Sequence, residues 1–557
     1  MSAVLSWLDR YPQVHFLVAG GLLALVLIRT ASSFLRHPAA MDEKRSDWVW
    51  GFVILALLVA GRWPTWLIPL DFNSDEGQLL AGAHTLVRDP VFWRSVDGAT
   101  AGPFDFFALW PAGWILGWDT YATSRVTALL LLAVSLTLAH QCVARLAGVR
   151  LARLILLPAV ALEALTNSVD LLHYSTELVP VALLATAAYA AVRRWADQGG
   201  PAWNAWGALA LGAVPLSKLQ AAPIAAVFGL CWLGAELQVW KRTGPKHLAY
   251  LLASALFPAA LFAWQLTLAG EWSTFVSSYL LFNFNYTARG ALAPLTLLKE
   301  VVTRSGAEDS LLHLWLAGWI LGLVCLFRPR RRGAGSAWIF IGAAALASGL
   351  ALTCILLTGR PFIHYWQLIV VPGSLLLGAV AGNLLATSTA ATLKTDRWLV
   401  ALVAVGLTGG LLVHRARQPS FFVGTLAYFQ QHPRSELATH VLGFSRPGDS
   451  LAIWGICNRL YVETGLRQGA HDAQFERAVV AGPYREYFRQ RFLADVAVLK
   501  PALFLDATGS DELAYHAPPF AHDRNYSELA AVIRADYELV DQFSGARIYR
   551  RRDLAAR

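Results

Sequence analysis

Three carboxylates fall within six residues in Asp71-Phe-Asn-Ser-Asp75-Glu76, directly after the apolar run Trp48 to Leu70. A carboxylate accepts hydrogen bonds from hydroxyls. One held against an attacking hydroxyl can also take its proton in the transition state, an effect of roughly 10² to 10⁴ in rate. The same residues read as a helix start. Asn73 followed by Glu76 has capping-box spacing, Asp75 and Glu76 fall in the first turn, and Leu79, Leu80, Ala83, Leu86 and Val87 then repeat at helical intervals. A helix N-terminus would keep such acids ionised, at some cost in basicity.

Capping would explain acids here by itself, but the surrounding loop argues for chemistry. Between 71 and 120 stand Asp71, Asp75, Glu76, Asp89, Asp97, Asp105 and Asp119, against only Arg88 and Arg94, with many aromatic residues. A long loop without spans of its own is more often functional than not. Acids among aromatics at the water side of a bilayer suit sugar hydroxyls. His84, on the helix that follows the acids, reads as interfacial.

The elements that must hold this loop are membrane helices. The chain has 557 residues, 56% hydrophobic, 22 tryptophans and a mean hydropathy of +0.46, far more apolar than a soluble protein of this length. A helix needs about 20 apolar residues to cross a bilayer. Such runs occur near 14–34, 48–70, 121–141, 151–167, 174–193, 204–217, 219–236, 248–268, 311–327, 336–357, 366–385 and 398–413. The expected fold is therefore mainly α, polytopic, with about twelve transmembrane helices.

Basic residues retained in short cytoplasmic loops set the orientation. They cluster at Arg36, Lys44 and Arg45; Arg145, Arg150 and Arg153; Arg193 and Arg194; Lys241, Arg242 and Lys246; Arg328, Arg330, Arg331 and Arg332; and Lys394 and Arg397, in every second loop. The loops 71–120, 168–173, 269–310 and 358–365 and the tail then lie outside the cytoplasm. These clusters also account for most of the net charge of +9, so nucleic acid is not an expected partner. Five scattered cysteines, Cys142, Cys231, Cys325, Cys354 and Cys457, form no CxxC pair and predict neither a disulfide framework nor a metal site.

From 414 the grammar changes. Arg446-Pro-Gly-Asp449 reads as a turn, Leu451–Gly455 and Ala502–Asp506 as buried strands, and Tyr537–Arg550 as a terminal strand pair. Glu486–Val496 and Glu528–Ala535 have helical spacing. The expected organisation is a transmembrane domain over 1–413, carrying the outer loop 71–120, and a soluble α/β domain over 414–557.

Taken in order, these motifs resemble the GT-C superfamily of integral-membrane glycosyltransferases, in the branch of the protein O-mannosyltransferases and lipid A aminoarabinose transferases. The resemblance rests on Asp71 to Gly77, Gly102-Pro103, Gly117-Trp-Asp-Thr-Tyr-Ala-Thr-Ser-Arg125, Asp170-Leu-Leu-His-Tyr-Ser-Thr-Glu177, Lys218-Leu-Gln220, Gly359-Arg-Pro-Phe-Ile-His-Tyr365, Ile453-Trp-Gly455 and Leu460-Tyr461. It implies inverting transfer of a sugar from a polyprenyl-phosphate carrier to an acceptor hydroxyl on a glycan, lipid or protein. The setting it implies is the outer face of a bacterial inner membrane. Asp75 matches the family's catalytic acid, Glu76 would support it or bind substrate, and Asp71 is an alternative base. Where the aminoarabinose branch has an acid-lysine-proline motif, this chain reads Thr100-Ala-Gly-Pro-Phe, so aminoarabinose is not the expected sugar.

A departing polyprenyl phosphate carries charge that cations stabilise, for which Arg125, Lys218, Arg360 and His364 are the candidates, with Tyr365 beside them. At the next outer turn, helical spacing would place His173 and Glu177 on one face near Asp170 and Tyr174, lining the substrate site. Carboxylates and imidazoles would admit a divalent cation, but without a tight ligand cluster none is expected to be required. The aromatic run Phe282–Tyr286 with Arg289 reads as an interfacial belt. Two rival functions share the composition: a transporter or flippase of a lipid-linked glycan, which would bind near the bilayer midplane, and a ligase or polymerase using a polyprenyl-diphosphate donor.

Overall fold

The computed structural model describes residues 2–36, 47–197, 201–288, 292–303, 307–326, 335–417, 424–479, 481–509 and 518–554. Lys44, Arg45, Arg289, Arg328, Arg330, Arg331 and Arg332 lie outside them. The chain forms two compact units. The first comprises Met1–Thr65, Ala128–Phe262 and Asn285–Ala427, and the second Trp66–Thr127, Ala263–Phe284 and Tyr428–Arg557.

Among the described residues, six helices are long and apolar enough to cross a membrane: Pro12–Arg36, Val49–Leu67, Ala122–Ala147, Pro245–Ala269, Ile363–Thr387 and Leu393–Arg417. Leu219–Gly234 and Phe340–Leu356 are apolar but shorter. The expected run 151–167 is two helices, Val149–Ile155 and Leu157–Leu165, meeting at Leu156. The separate spans expected at 219–236 and 248–268 are one helix, Ala222–Ala269, and the loop expected at Lys241, Arg242 and Lys246 is helical. Leu237, Gln238, Lys241 and Arg242, in the interval before Gly244, are good helix formers. Pro245 and Pro258 lie inside the helix, where each removes a backbone bond and favours a kink rather than a break.

Within the first unit, Gln367–Thr387 is apolar all round and buried along nearly its whole length, as the central helix of a membrane bundle must be. It packs against Ala307–Leu326 and Gly335–Leu356. Small residues permit close approach, since a Cβ on Gly378 would lie 2.4 Å from the Val143 side chain. One polar triad fastens three helices. Arg62 Nη2 donates to Glu163 Oε2 at 2.7 Å, and Gln367 Nε2 donates to the same oxygen at 3.2 Å. All three side chains are buried, so each charge depends on the other.

The second unit is built on a five-stranded sheet: β1 (Ser450–Trp454), β2 (Arg467–Gln468), β3 (Leu503–Asp506), β4 (Tyr537–Phe543) and β5 (Ala546–Arg551), in the order β2-β1-β3-β5-β4. β1 pairs parallel with β2 and β3, and β5 pairs antiparallel with β3 and β4. Strands buried on both faces should read as continuous apolar runs, as β1 and β3 do. Leu451, Ile453, Leu503 and Leu505 enter one core, and Ala452, Trp454 and Phe504 the other, following the two-residue period of a strand. The helices expected around 486–496 and 528–535 are Arg485–Leu499 and Ser527–Asp536.

At the end of β3, Asp506 is buried and receives Thr508 Oγ1 at 2.5 Å, Arg547 Nη2 at 2.5 Å and the His522 ring at 2.6 Å. Burial alone would raise its carboxyl. The His522 hydrogen bond, with Thr508 and Arg547, instead lowers it from 3.8 to about 2. Because the folded value is depressed, the stabilisation is complete above about pH 4 and disappears as pH falls through about 2. In thermal unfolding of the full chain in detergent, Asp506→Asn is therefore expected to lower Tm by an amount that is constant from pH 5 to 7. The gap should close toward pH 2 to 3, and one that stayed constant into acid would refute the assignment.

Candidate active site

Asn73 begins the acidic helix, Ser74–Arg88, as expected. Its backbone is extended and its side chain accepts from the Asp75 N–H at 3.0 Å. The second half of the capping box departs from expectation, because Glu76 Oε2 accepts from the Phe72 N–H, at 3.3 Å, one residue before the cap. Glu76 is pulled aside by stronger partners. Its side chain is fully buried, with Ser124 Oγ donating to Oε1 at 2.7 Å and Arg125 donating through Nε at 3.2 Å and Nη2 at 3.0 Å.

Arg125 is turned inward on the same cluster. Nη1 donates to the Ile68 carbonyl at 2.7 Å, Nη2 to that of Leu70, and the guanidinium lies 3.6 Å over the Phe72 ring. The pair thus ties the segment 68–76 to the start of the helix Ala122–Ala147. Asp75 points elsewhere. It is half-buried, and among the described residues no donor reaches its carboxylate. Asp71 is half-buried too, and its charge, like that of Glu76, bears on the Tyr121 hydroxyl. His84 stacks on Trp118 with ring centroids 5.6 Å apart. Burial, with Arg467, lowers its imidazole to about 4, leaving it neutral at pH 7.

The loop is mounted on the α/β fold of the same unit, for which the sequence carried no signal. Ala81 of the acidic helix enters the core beside β1, and the Gln468 N–H donates to Thr85 Oγ1 at 3.1 Å. Farther along, buried Asp97 receives Arg477 Nη1 at 3.3 Å and Arg491 Nη1 at 2.5 Å, and its N–H donates to the His471 carbonyl at 2.8 Å. Burial would raise the Asp97 carboxyl, but Arg477 and Arg491 hold it well below the ordinary range.

The other expected site residues gather in the first unit. Lys218, 3% exposed, donates to Thr176 Oγ1, pairs with buried Glu177, and lies 5.0 Å over the Tyr365 ring. His364 Nδ1 is 3.6 Å from Asp170 Oδ2, and its ring meets that of His173 edge-on at 5.4 Å. Tyr174 is fully buried. Tyr286, which read as part of an interfacial belt, bonds Tyr365 hydroxyl to hydroxyl at 3.2 Å and carries Arg360 over its ring at 4.2 Å. Among the described residues no carboxylate pairs with Arg360.

The expected shared helical face of His173 and Glu177 is corrected. His173 and Glu177 do not share a helix, because Val169–Leu172 ends at an extended His173 and the next helix starts at Leu178. Pro180 accounts for this, since a helix running through would press its ring against the Thr176 carbonyl, whereas the first turn of a new helix accepts it.

Among the described residues, the group of acids and histidine at metal-holding spacing is Asp506, His522 and Asp523. Arg547 bridges its two carboxylates, at 2.5 Å and 2.9 Å, where a cation would otherwise sit.

The long apolar helices and the small α/β sheet together make up a fold that recurs in solved structures. The chain is similar to the crystal structure of ArnT from Cupriavidus metallidurans bound to undecaprenyl phosphate, with a TM-score of 0.56 and 13% identity over 90% of this chain and 98% of that one. Against the apo state of the same protein the TM-score is 0.54, with 14% identity over 90% and 97%. No family model and no curated protein matches the sequence.

Proposed function

We propose that the protein is an inverting glycosyltransferase that moves a sugar from a polyprenyl-phosphate carrier to an acceptor hydroxyl at the outer face of the membrane. The observation that carries this reading is the division of labour in the acidic turn. Glu76 is consumed by Arg125 and Ser124, while Asp75 presents a carboxylate with no protein donor among the described residues. Asp75 takes the proton of the acceptor hydroxyl as its oxygen attacks C1 of the sugar. The bond from C1 to the phosphate oxygen breaks, polyprenyl phosphate leaves, and the anomeric configuration inverts.

The structural neighbour bound to undecaprenyl phosphate supports the choice of carrier. Arg360 is the cation assigned to the phosphate, since Arg125 is spent on Glu76 and Lys218 on Glu177. Within the first unit Lys218 and Tyr365 then brace one another, and within the second Arg125 holds the segment before Asp75.

The full chain in detergent, given polyprenyl-monophosphate sugars and a membrane extract as acceptor source, is expected to release polyprenyl phosphate and glycosylate the extract. Detergent abolishes sidedness, so a transporter would give no product. Arg360→Ala is expected to raise the donor KM about tenfold, the equivalent of roughly 1.4 kcal/mol. Turnover with diphosphate donors alone, or none with any donor, would overturn the reading.

A further inference from the structure

We infer that Asn458, in the C-terminal α/β fold, is a positioning residue for Asp75, an assignment that rests on Asp75 being the base. Asn458 is 1% exposed and immediately precedes the helix Arg459–Thr464. Its Nδ2 donates to the carbonyl of Ser74 at 3.0 Å and to Gln474 Oε1 at 2.9 Å, so both amide protons are committed. Ser74 is the first residue of the acidic helix and the immediate neighbour of Asp75.

The helix also lies directly on the Asn458 backbone. A Cβ at Gly77 would stand 2.9 Å from the Asn458 carbonyl carbon and 3.0 Å from its Cβ and carbonyl oxygen. Only glycine lets the two segments approach this closely.

The rotation of the helix follows from these contacts. Successive residues turn by about 100°, so positions 74 and 77 share the face set against Asn458, and Glu76 is turned onto Arg125. With both of those faces fixed, position 75 falls on a third, where its carboxylate meets no protein donor among the described residues. The tail domain thereby becomes part of the catalytic unit, with Asn458 acting through the backbone of the first helical turn. A shift of about 1 Å in a reacting group costs on the order of 10² in rate, which sets the size of the effect.

The test uses the full chain in detergent with the transfer assay above. Asn458→Ala and Gly77→Ala are each expected to lower kcat 10- to 100-fold with donor KM within twofold. Asn458→Asp is isosteric but places a negative charge beside the first turn. It should lower kcat similarly and also move the acid limb of the pH–kcat profile upward, a shift absent from Asn458→Ala, because a like charge raises the pH at which the base titrates.

If Asn458→Ala is not recovered folded, Asn458→Ser, which retains one donor, and Gly77→Ala decide by the same split. A kcat within twofold of the parent in the recovered variants, or kcat and KM changing together, overturns the assignment. Asp75→Asn, measured in parallel, separates the two hypotheses. Full activity in Asp75→Asn removes the base, whereas a dead Asp75→Asn beside an unaffected Asn458→Ala removes only the positioning role.

Discussion

Asp75→Asn is expected to reduce sugar transfer by about 10² to 10⁴ while leaving the thermal stability and donor binding of the full chain nearly unchanged. The substitution is isosteric, and the backbone N–H of residue 75, which bonds Asn73, is retained. No described side chain donates to the carboxylate, so no protein hydrogen bond is lost. What disappears is a carboxylate charge that, unlike that of Glu76, no buried arginine pairs with among the described residues. Single-turnover rates and donor titration on the same preparation check this. Turnover near the parent value would sink the assignment, and an equal loss in Asp71→Asn alone would transfer the role to Asp71.

Glu76 should behave in the opposite way. Glu76→Gln removes the charge that compensates Arg125, and both side chains are at most 2% exposed. Breaking one partner of a buried pair costs about 3 to 5 kcal/mol, because the other charge remains in a low-dielectric site. The expected result is a large fall in Tm together with lost activity. Replacing both residues, as Glu76→Met with Arg125→Met, should recover much of the Tm, since an apolar pair of similar volume carries no desolvation penalty. Activity should not return in the double variant, because the Ile68 and Leu70 carbonyls lose the guanidinium that holds the segment before Asp75. An unchanged Tm in Glu76→Gln with activity abolished would make Glu76 a chemical participant instead.

The two adjacent acids differ in how far their surroundings could be read from the sequence. The helix start at Asn73 was legible because capping is a local interaction between residues two or three apart. The strands at 451 and 502 were legible because strands buried on both faces leave continuous apolar runs, and the terminal pair from 537 because Ser544-Gly545 marks a turn between two strand-like runs. The break between His173 and Leu178 was legible in principle from Pro180, yet the i, i+4 spacing of His173 and Glu177 masked it. The continuous helix Ala222–Ala269 was not legible, since a basic cluster followed by Gly244-Pro245 reads locally as a helix end, although a proline inside a helix can kink it without ending it.

By itself, the sequence determined that the chain is rich in membrane helices, that acids cluster after the second apolar run, and that a soluble α/β fold closes it, because composition, periodicity and caps are local properties. The tertiary structure decided which acid, among the described residues, is paired with a buried arginine and which is not. Asp75 and Glu76 are adjacent carboxylates one methylene apart in length, and a 100° helical turn aims them in different directions. The residues that fix that aim are distant: Arg125 stands 49 positions from Glu76, and Asn458 stands 384 from Ser74. No local spacing encodes partners at that separation, and the fold alone brings them to the acidic turn.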